Sequence, residues 1–138
     1  MVAEALVKRA KEIVALGRSG KTDEAYAEYK KLFESAEFLT FPIDDRRQCI
    51  KLVVNARIPP TRPAAGLVEA HRAAIKPLED AIGAEAKPID FELLGICFVF
   101  VGDEKKAADA FRTGLRIERE NAPGSDLCGS LMKWVAAV

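Results

Sequence analysis

The sequence lacks the residue clusters that catalysis and metal binding require. It contains a single histidine, His71, in 138 residues. A catalytic triad or a metal site would need several side chains converging on that residue. His71 lies instead beside Glu69 and Arg72 on a predicted amphipathic helix, where a surface or helix-edge position is expected. We therefore expect a protein that is not an enzyme and uses no cofactor.

Long apolar runs are also absent. The longest, residues 93–101, falls far short of the ~20 residues that a membrane-spanning helix needs. The opening stretch, MVAEALVKRAKEIV, carries charges throughout and has no apolar core of the kind found in secretory signals. These features predict a cytoplasmic protein that does not associate with membranes.

Charge of one sign is not in excess, because 21 basic residues balance 21 acidic ones. Binding to nucleic acid depends on a basic excess, so we expect no nucleic-acid partner. The three cysteines, Cys49, Cys97 and Cys128, are odd in number and match no metal or redox spacing. They are predicted to be buried, reduced thiols.

The dominant signal that is present is a helical period. Apolar residues recur every three or four positions between breaks at glycine and proline. Asp44 or Asp45 is a candidate N-cap for the third helix and Ser125 for the seventh, while Pro77 should kink or split the fourth. The run 93–101 is rich in strand-favouring residues, but no second such run exists to pair with it. The sequence therefore predicts an all-α fold with seven helices, at about 3–16, 22–37, 44–57, 64–82, 89–101, 104–121 and 125–138.

Two parts of the sequence repeat one another. Gly20, Ala25 and Tyr29 recur as Gly102, Ala107 and Phe111, in each case 82 positions later. A constant offset is the mark of a repeated structural unit. The glycines fall in predicted turns, and the other residues fall on the helix that follows.

The second copy has a fuller pattern of large and small residues, formed by Phe91, Leu94, Gly95, Phe98, Gly102, Ala107, Phe111 and Gly114. In this it resembles the tetratricopeptide repeat family, whose units of about 34 residues pair two antiparallel helices. Gly95 and Ala107 are small where the two helices would cross. The match is partial at 1–37, where Ile13 replaces a small residue, and weakest at 43–82.

The resemblance implies a single domain over 1–138. Its architecture would be a right-handed stack of about three antiparallel helical hairpins, a short solenoid. The hairpins would cover about 1–37, 43–82 and 88–121, and a C-terminal capping helix would cover 125–138.

In this family the first helix of each pair lines a concave groove that holds a peptide or helix of a partner protein. On the fifth helix the groove side is predicted to be Ile89, Glu92, Ile96, Val99 and Phe100, and on the first helix Val7, Ala10, Val14 and Arg18. Both sets are mostly apolar, which favours an apolar partner segment. The alternative is that the seventh helix covers the apolar residues of the fifth.

A second candidate surface is basic and consists of Arg46, Arg47, Lys51, Arg57 and Arg62. The guanidinium group of arginine forms two parallel hydrogen bonds with a carboxylate, so an acidic peptide could dock there. The alternative is a solvated helix face beside a proline-rich loop, which is the better interpretation of the sequence.

These features together predict a non-enzymatic protein-interaction module, a scaffold or adaptor that binds a segment of a partner protein. One alternative is an assembly subunit that forms homo-oligomers through exposed apolar edges. The other is a regulatory domain that binds a small ligand between its hairpins.

Overall fold

A computed structural model describes residues 2–54 and 63–138, with side chains from Glu4 onward in those ranges. All regular structure within them is helical, which confirms the all-α class, and the strand-like run 93–101 lies mostly in a helix. The seven α-helices are α1 (Val2–Arg18), α2 (Thr22–Glu34), α3 (Ile43–Lys51), α4 (Ala65–Glu85), α5 (Pro88–Phe100), α6 (Glu104–Asn121) and α7 (Asp126–Ala137), and a 3₁₀ segment covers Ala36–Thr40.

Short polar side chains fix where α6 and α7 begin. The Asp103 carboxylate accepts a hydrogen bond from the backbone N–H of Lys106 at 3.1 Å. The Ser125 hydroxyl accepts one from Cys128 at 3.0 Å, which confirms the predicted cap. The predicted cap of α3 is wrong, because Pro42 occupies that position and Asp44 and Asp45 lie within the first turn. A carboxylate in the first turn still interacts favourably with the helix dipole.

Glycines with positive φ close the turns between α1 and α2 and between α5 and α6. Gly20 has φ 86° and Gly102 has φ 82°, a left-handed conformation that disfavours side chains with a Cβ atom. These are the two glycines that the repeat places at equivalent positions. The predicted equivalence of the two turns is therefore confirmed in backbone conformation.

Five pairs of helices make the most extensive contacts: α1 with α2, α2 with α4, α4 with α5, α5 with α6, and α6 with α7. α3 is the exception, since it touches α1 and α4 only slightly. Within the described residues α3 and α4 thus make few contacts with each other, and α4 packs mainly between α2 and α5.

α5 is buried on nearly all sides because α4 and α6 flank it. Every residue from Leu93 to Phe98 is buried, which explains a helix without a polar face. A Cβ atom added at Gly95 would lie within 3.0 Å of three ring atoms of Phe111 on α6. The predicted need for a small residue at position 95 is thus confirmed.

Glycines stand at other helix contacts as well, and the tightest of these is at Gly114 on α6, where an added Cβ would lie 2.9 Å from the Phe91 Cβ on α5. Gly17 on α1 faces Ala25 on α2, where an added Cβ would lie 3.9 Å from the Ala25 Cβ. Gly66 on α4 faces Tyr26 on α2, with an added Cβ 3.3 Å from the Tyr26 Cβ. Ile13, which replaces the family's small residue, is buried in the core instead.

α7 covers the outer side of α6. Trp134 stacks on Phe111 with ring centroids 4.9 Å apart and planes 7° from parallel. Leu131 beside it is fully buried. α7 therefore completes the core at the C-terminal end of the described chain.

The structure narrows one prediction for α4 and corrects another. Of the two effects predicted for Pro77, a split of the helix is wrong, because α4 runs unbroken from Ala65 to Glu85. His71 is not at the surface but 1% exposed, because α2 and α5 pack on both sides of α4. The predicted proline loop around Pro59 and Pro60 and the last residues of the predicted third helix lie outside the described residues.

Candidate functional site

An apolar groove of about 870 Å³ lies between α1 and α3. Its walls expose two large hydrophobic side chains, Val7 on α1 at 48% and Leu52 just after α3 at 49%. The other residues that line it are Leu6, Ala10, Lys11, Val14, Ala15, Arg18, Ser19, Asp45, Gln48 and Cys49. α1 and α3 make few contacts with each other. The space between them therefore stays open and is not filled by core side chains.

Polar groups stand at the rim of the groove. Lys11 and Arg18 belong to α1, and Asp45 and Gln48 belong to α3. Neither Lys11 nor Arg18 forms an ion pair with any residue in the described part of the chain. An apolar floor with a polar rim is the usual anatomy of a protein-binding surface.

The floor of the groove carries no reactive thiol. Cys49 is buried, and burial raises the pKa of its thiol to about 12. Burial, with a smaller contribution from Cys49, also raises the pKa of Tyr29 to about 12. Both groups are therefore neutral near pH 7, and the thiolate that nucleophilic chemistry requires does not form.

A buried ion pair holds α3 in place. The Arg47 Nε donates to Asp90 Oδ1 at 2.8 Å and its Nη2 donates to Oδ2 at 2.9 Å. The side chains of Arg47 and Asp90 are 4% and 0% exposed. This two-pronged contact joins α3 to the start of α5, so it fixes the position of one wall of the groove.

Further bonds surround that pair. Arg47 also donates to the backbone carbonyl of Glu85 and to the exposed Asp44 carboxylate. Hydrogen bonds from Lys87, then from Arg47, lower the pKa of Asp44. Asp90 accepts from the backbone N–H of Lys87 at 3.0 Å, which caps α5. Each Arg47 nitrogen thus has a partner, and the pKa of Arg47 is raised, chiefly by Asp90.

The structure separates the two predicted halves of the partner groove. On α1, Val7, Ala10, Val14 and Arg18 all line the groove described above. On α5, Ile89 and Val99 are half-buried against the core. Ile96 is fully buried, so it offers no surface to a partner.

Two other α5 residues are covered by the chain itself. The Glu92 carboxylate accepts a hydrogen bond from the Ser130 hydroxyl of α7, and burial raises its pKa. Phe100 stacks on His71 of α4 with centroids 3.7 Å apart. α7 therefore contacts the polar Glu92, whereas Phe100, one of the apolar residues that α7 was predicted to cover, stacks on α4 instead.

The predicted basic patch is not a free surface. Arg47 forms a buried ion pair with Asp90. Arg46 donates a hydrogen bond to Asp80 at 2.9 Å, and only 10% of its side chain is exposed. Lys51 remains exposed, and Arg57 and Arg62 lie outside the described residues. For Arg46 and Arg47 both the acidic-peptide patch and the preferred interpretation as a solvated helix face are wrong, because both side chains are buried and paired with acids distant in sequence.

The sequence reasoning missed the α3 wall of the groove. Asp45, Gln48 and Leu52 line it, and none of them was assigned to a site. No local signal marked Leu52, because it lies just after α3 in a mostly apolar stretch whose other apolar members, Cys49, Ile50, Val53 and Val54, are all buried.

The described ranges offer no candidate for a metal-binding cluster or for a membrane-spanning helix. Within residues 2–54 and 63–138, no group of three or more histidine, cysteine, aspartate or glutamate side chains is placed to hold a metal ion. Among the helices described, none combines the length and apolar character needed to cross a bilayer. No protein-family model, curated protein or solved structure matches this chain significantly.

Proposed function

We propose that this chain is a non-enzymatic protein-interaction module that binds an amphipathic helix of a partner protein in the groove between α1 and α3. The observation that carries the proposal is the exposure of Val7 and Leu52 on facing walls of one apolar groove. Exposed apolar surface of this kind, rimmed by polar groups, is typical of protein-binding sites.

The resemblance to tetratricopeptide repeats supports the same surface. In a right-handed stack of three hairpins, α1 and α3 would be the first helices of the first two pairs, and those helices line the concave face. Gly95 against Phe111 and the positive φ of Gly102 agree with the family's packing pattern. The proposed architecture is therefore a short solenoid with α7 as its cap.

The rim defines the chemistry of the partner. Lys11 and Arg18 are seven residues apart on α1, which is about 10 Å along a helix. Both cations lack an ion pair within the described chain. A partner helix with an apolar stripe and acidic residues about two turns apart would match both the floor and the rim.

The proposal can be tested by capture from the native lysate with matched variants. Val7→Glu and Leu52→Glu each place a charge on one wall of the groove, and both should abolish capture of the same protein. The control is Met132→Glu on α7, where the native side chain is 50% exposed. It should leave capture unchanged, and all three variants should keep the far-UV helix signal.

Two outcomes would contradict the proposal. Capture that survives both groove substitutions would place the partner elsewhere. Capture that Met132→Glu weakens as much as the groove substitutions do would point to α7.

A second candidate is self-association, because the same two exposed side chains could pack against another copy of the chain. Sedimentation velocity at two concentrations separates the candidates. A species that stays monomeric removes self-association. A dimer that dissociates in the Leu52→Glu variant would support it.

A further inference from the structure

α6 carries a cluster of unpaired arginines on its exposed face. Arg112, Arg116 and Arg119 are all exposed. Their spacing of four and then three residues places them on one side of the helix. We call this set the α6 arginine stripe.

The stripe differs from most other arginines of the described chain, among which only Arg18 also lacks an ion pair. Arg9, Arg46, Arg47 and Arg72 each form an ion pair with an aspartate or glutamate. Arg112, Arg116 and Arg119 form none with a described residue. Unsatisfied arginines are thus concentrated on α6, although the chain as a whole is neutral.

Acidic neighbours on α6 do not neutralise the stripe. Asp109 and Glu120 lie within one turn of Arg112 and Arg116, a distance at which helical ion pairs commonly form. Neither carboxylate pairs with an arginine there. The guanidinium groups therefore remain available to an external acceptor.

The surface between the arginines is a shallow depression of about 260 Å³ that includes Leu115 and Glu120. This is smaller than the ~300–1,000 Å³ of a typical small-molecule pocket. It has room for a few side chains rather than for a whole cofactor. Arg112 and Arg119 are seven residues apart, or about 10 Å along the helix, which matches acidic residues two turns apart on another helix.

We propose that the α6 arginine stripe binds an acidic helical segment of a protein, whose carboxylates face Arg112, Arg116 and Arg119. Arginine suits this role because its planar fork forms paired hydrogen bonds with a carboxylate. This surface belongs to α6, on a different helix pair from the groove, so it does not depend on the function proposed above.

The probe is a synthetic alanine-based helix with glutamates at positions i, i+4 and i+7, measured by fluorescence anisotropy at low salt. The variant that replaces all three arginines by glutamine should bind it about tenfold more weakly, since exposed ion pairs each contribute modestly. Added salt should weaken the binding of the native chain. A control variant with Lys8, Lys30 and Lys31 replaced by glutamine changes net charge equally and should bind as the native chain does.

A second peptide tests geometry rather than charge. It carries the same glutamates at consecutive positions, which spreads them around the helix, and it should bind several-fold more weakly than the first. Equal affinity for both peptides, or equal loss in both charge variants, would overturn the proposal in favour of general attraction. Stripe-dependent binding to vesicles containing phosphatidylserine, without preference between the peptides, would overturn it in favour of a membrane surface.

Discussion

Replacing Gly95 by alanine offers a quantitative test of how α5 and α6 pack. The added Cβ would lie within 3.0 Å of three atoms of the Phe111 ring. That ring cannot swing aside, because Phe111 is fully buried and stacked on Trp134. The clash must therefore be relieved by separating the helices or by straining side chains.

The size of the effect follows from two opposing contributions. Overpacking a core by one methyl group costs about 1–3 kcal/mol, while replacing glycine by alanine in a helix gains about 1 kcal/mol. Because two ring atoms would lie 2.6 and 2.7 Å from the added Cβ and a third closer still, the cost should fall in the upper part of its range, about 2–3 kcal/mol. We therefore expect Gly95→Ala to lower the free energy of unfolding by about 1–2 kcal/mol. For a chain of this length that corresponds to a fall in Tm of about 3–7 °C.

The matched control is Gly129→Ala in α7. Gly129 is also inside a helix, but an added Cβ there meets nothing within 4 Å. Only the helix-propensity gain remains, so this variant should be more stable than the native chain. Urea unfolding followed by far-UV circular dichroism measures both changes.

A double variant locates the cause of the destabilisation. Phe111→Leu removes the ring that the new methyl group would strike, so Gly95→Ala should be neutral or stabilising in that background. If Gly95→Ala stabilises the native chain as Gly129→Ala does, the close contact between α5 and α6 is wrong. The interpretation of residues 88–121 as a packed repeat unit would then lose its main support.

Two further predictions concern buried charge. Asp90→Ala leaves Arg47 without its buried carboxylate partner and should lower the free energy of unfolding by about 3–5 kcal/mol. Asp44→Ala removes an exposed partner of the same arginine and should lower it by less than about 1 kcal/mol. Equal losses of the two variants in urea unfolding would refute this difference. His71 is neutral when folded because burial lowers its pKa below the usual 6.5, so the unfolded chain binds the proton first and stability should fall as pH drops from 7 through 6.5. His71→Gln should flatten that slope, and an unchanged slope would show that other groups cause it.

The local features of the fold were predictable from the sequence. Apolar periodicity located the helices, and turn chemistry at Gly20, Gly102 and Ser125 located several of their ends. The small residue at position 95 was expected from the resemblance to tetratricopeptide repeats, which implies a close approach of two helices there. These are short-range signals that a few neighbouring residues carry.

Long-range pairing was not predictable in the same way. Arg47 and Asp90 are 43 positions apart, and nothing in either neighbourhood marks them as partners. The same holds for His71 with Phe100 and for Glu92 with Ser130. Amphipathic patterns predict which residues are buried, but they do not predict which helix packs against them.

This limit explains the outcome for the candidate site. Val7 and Val14 on α1 were assigned to a groove through the resemblance to tetratricopeptide repeats, and both line the groove between α1 and α3. The α5 side was assigned through the same resemblance, yet neighbouring helices cover Glu92 and Phe100 there. The open groove depends on the position of α3, which the buried Arg47–Asp90 pair determines.

The most direct test of the central claim is site-specific photo-crosslinking. A photoreactive benzophenone side chain is introduced at position 7, 52 or 132, and native lysate is irradiated with each protein. Binding in the groove between α1 and α3 predicts the same partner adduct from positions 7 and 52 and none from 132. An adduct that forms only from position 132, or equally from all three, would contradict it.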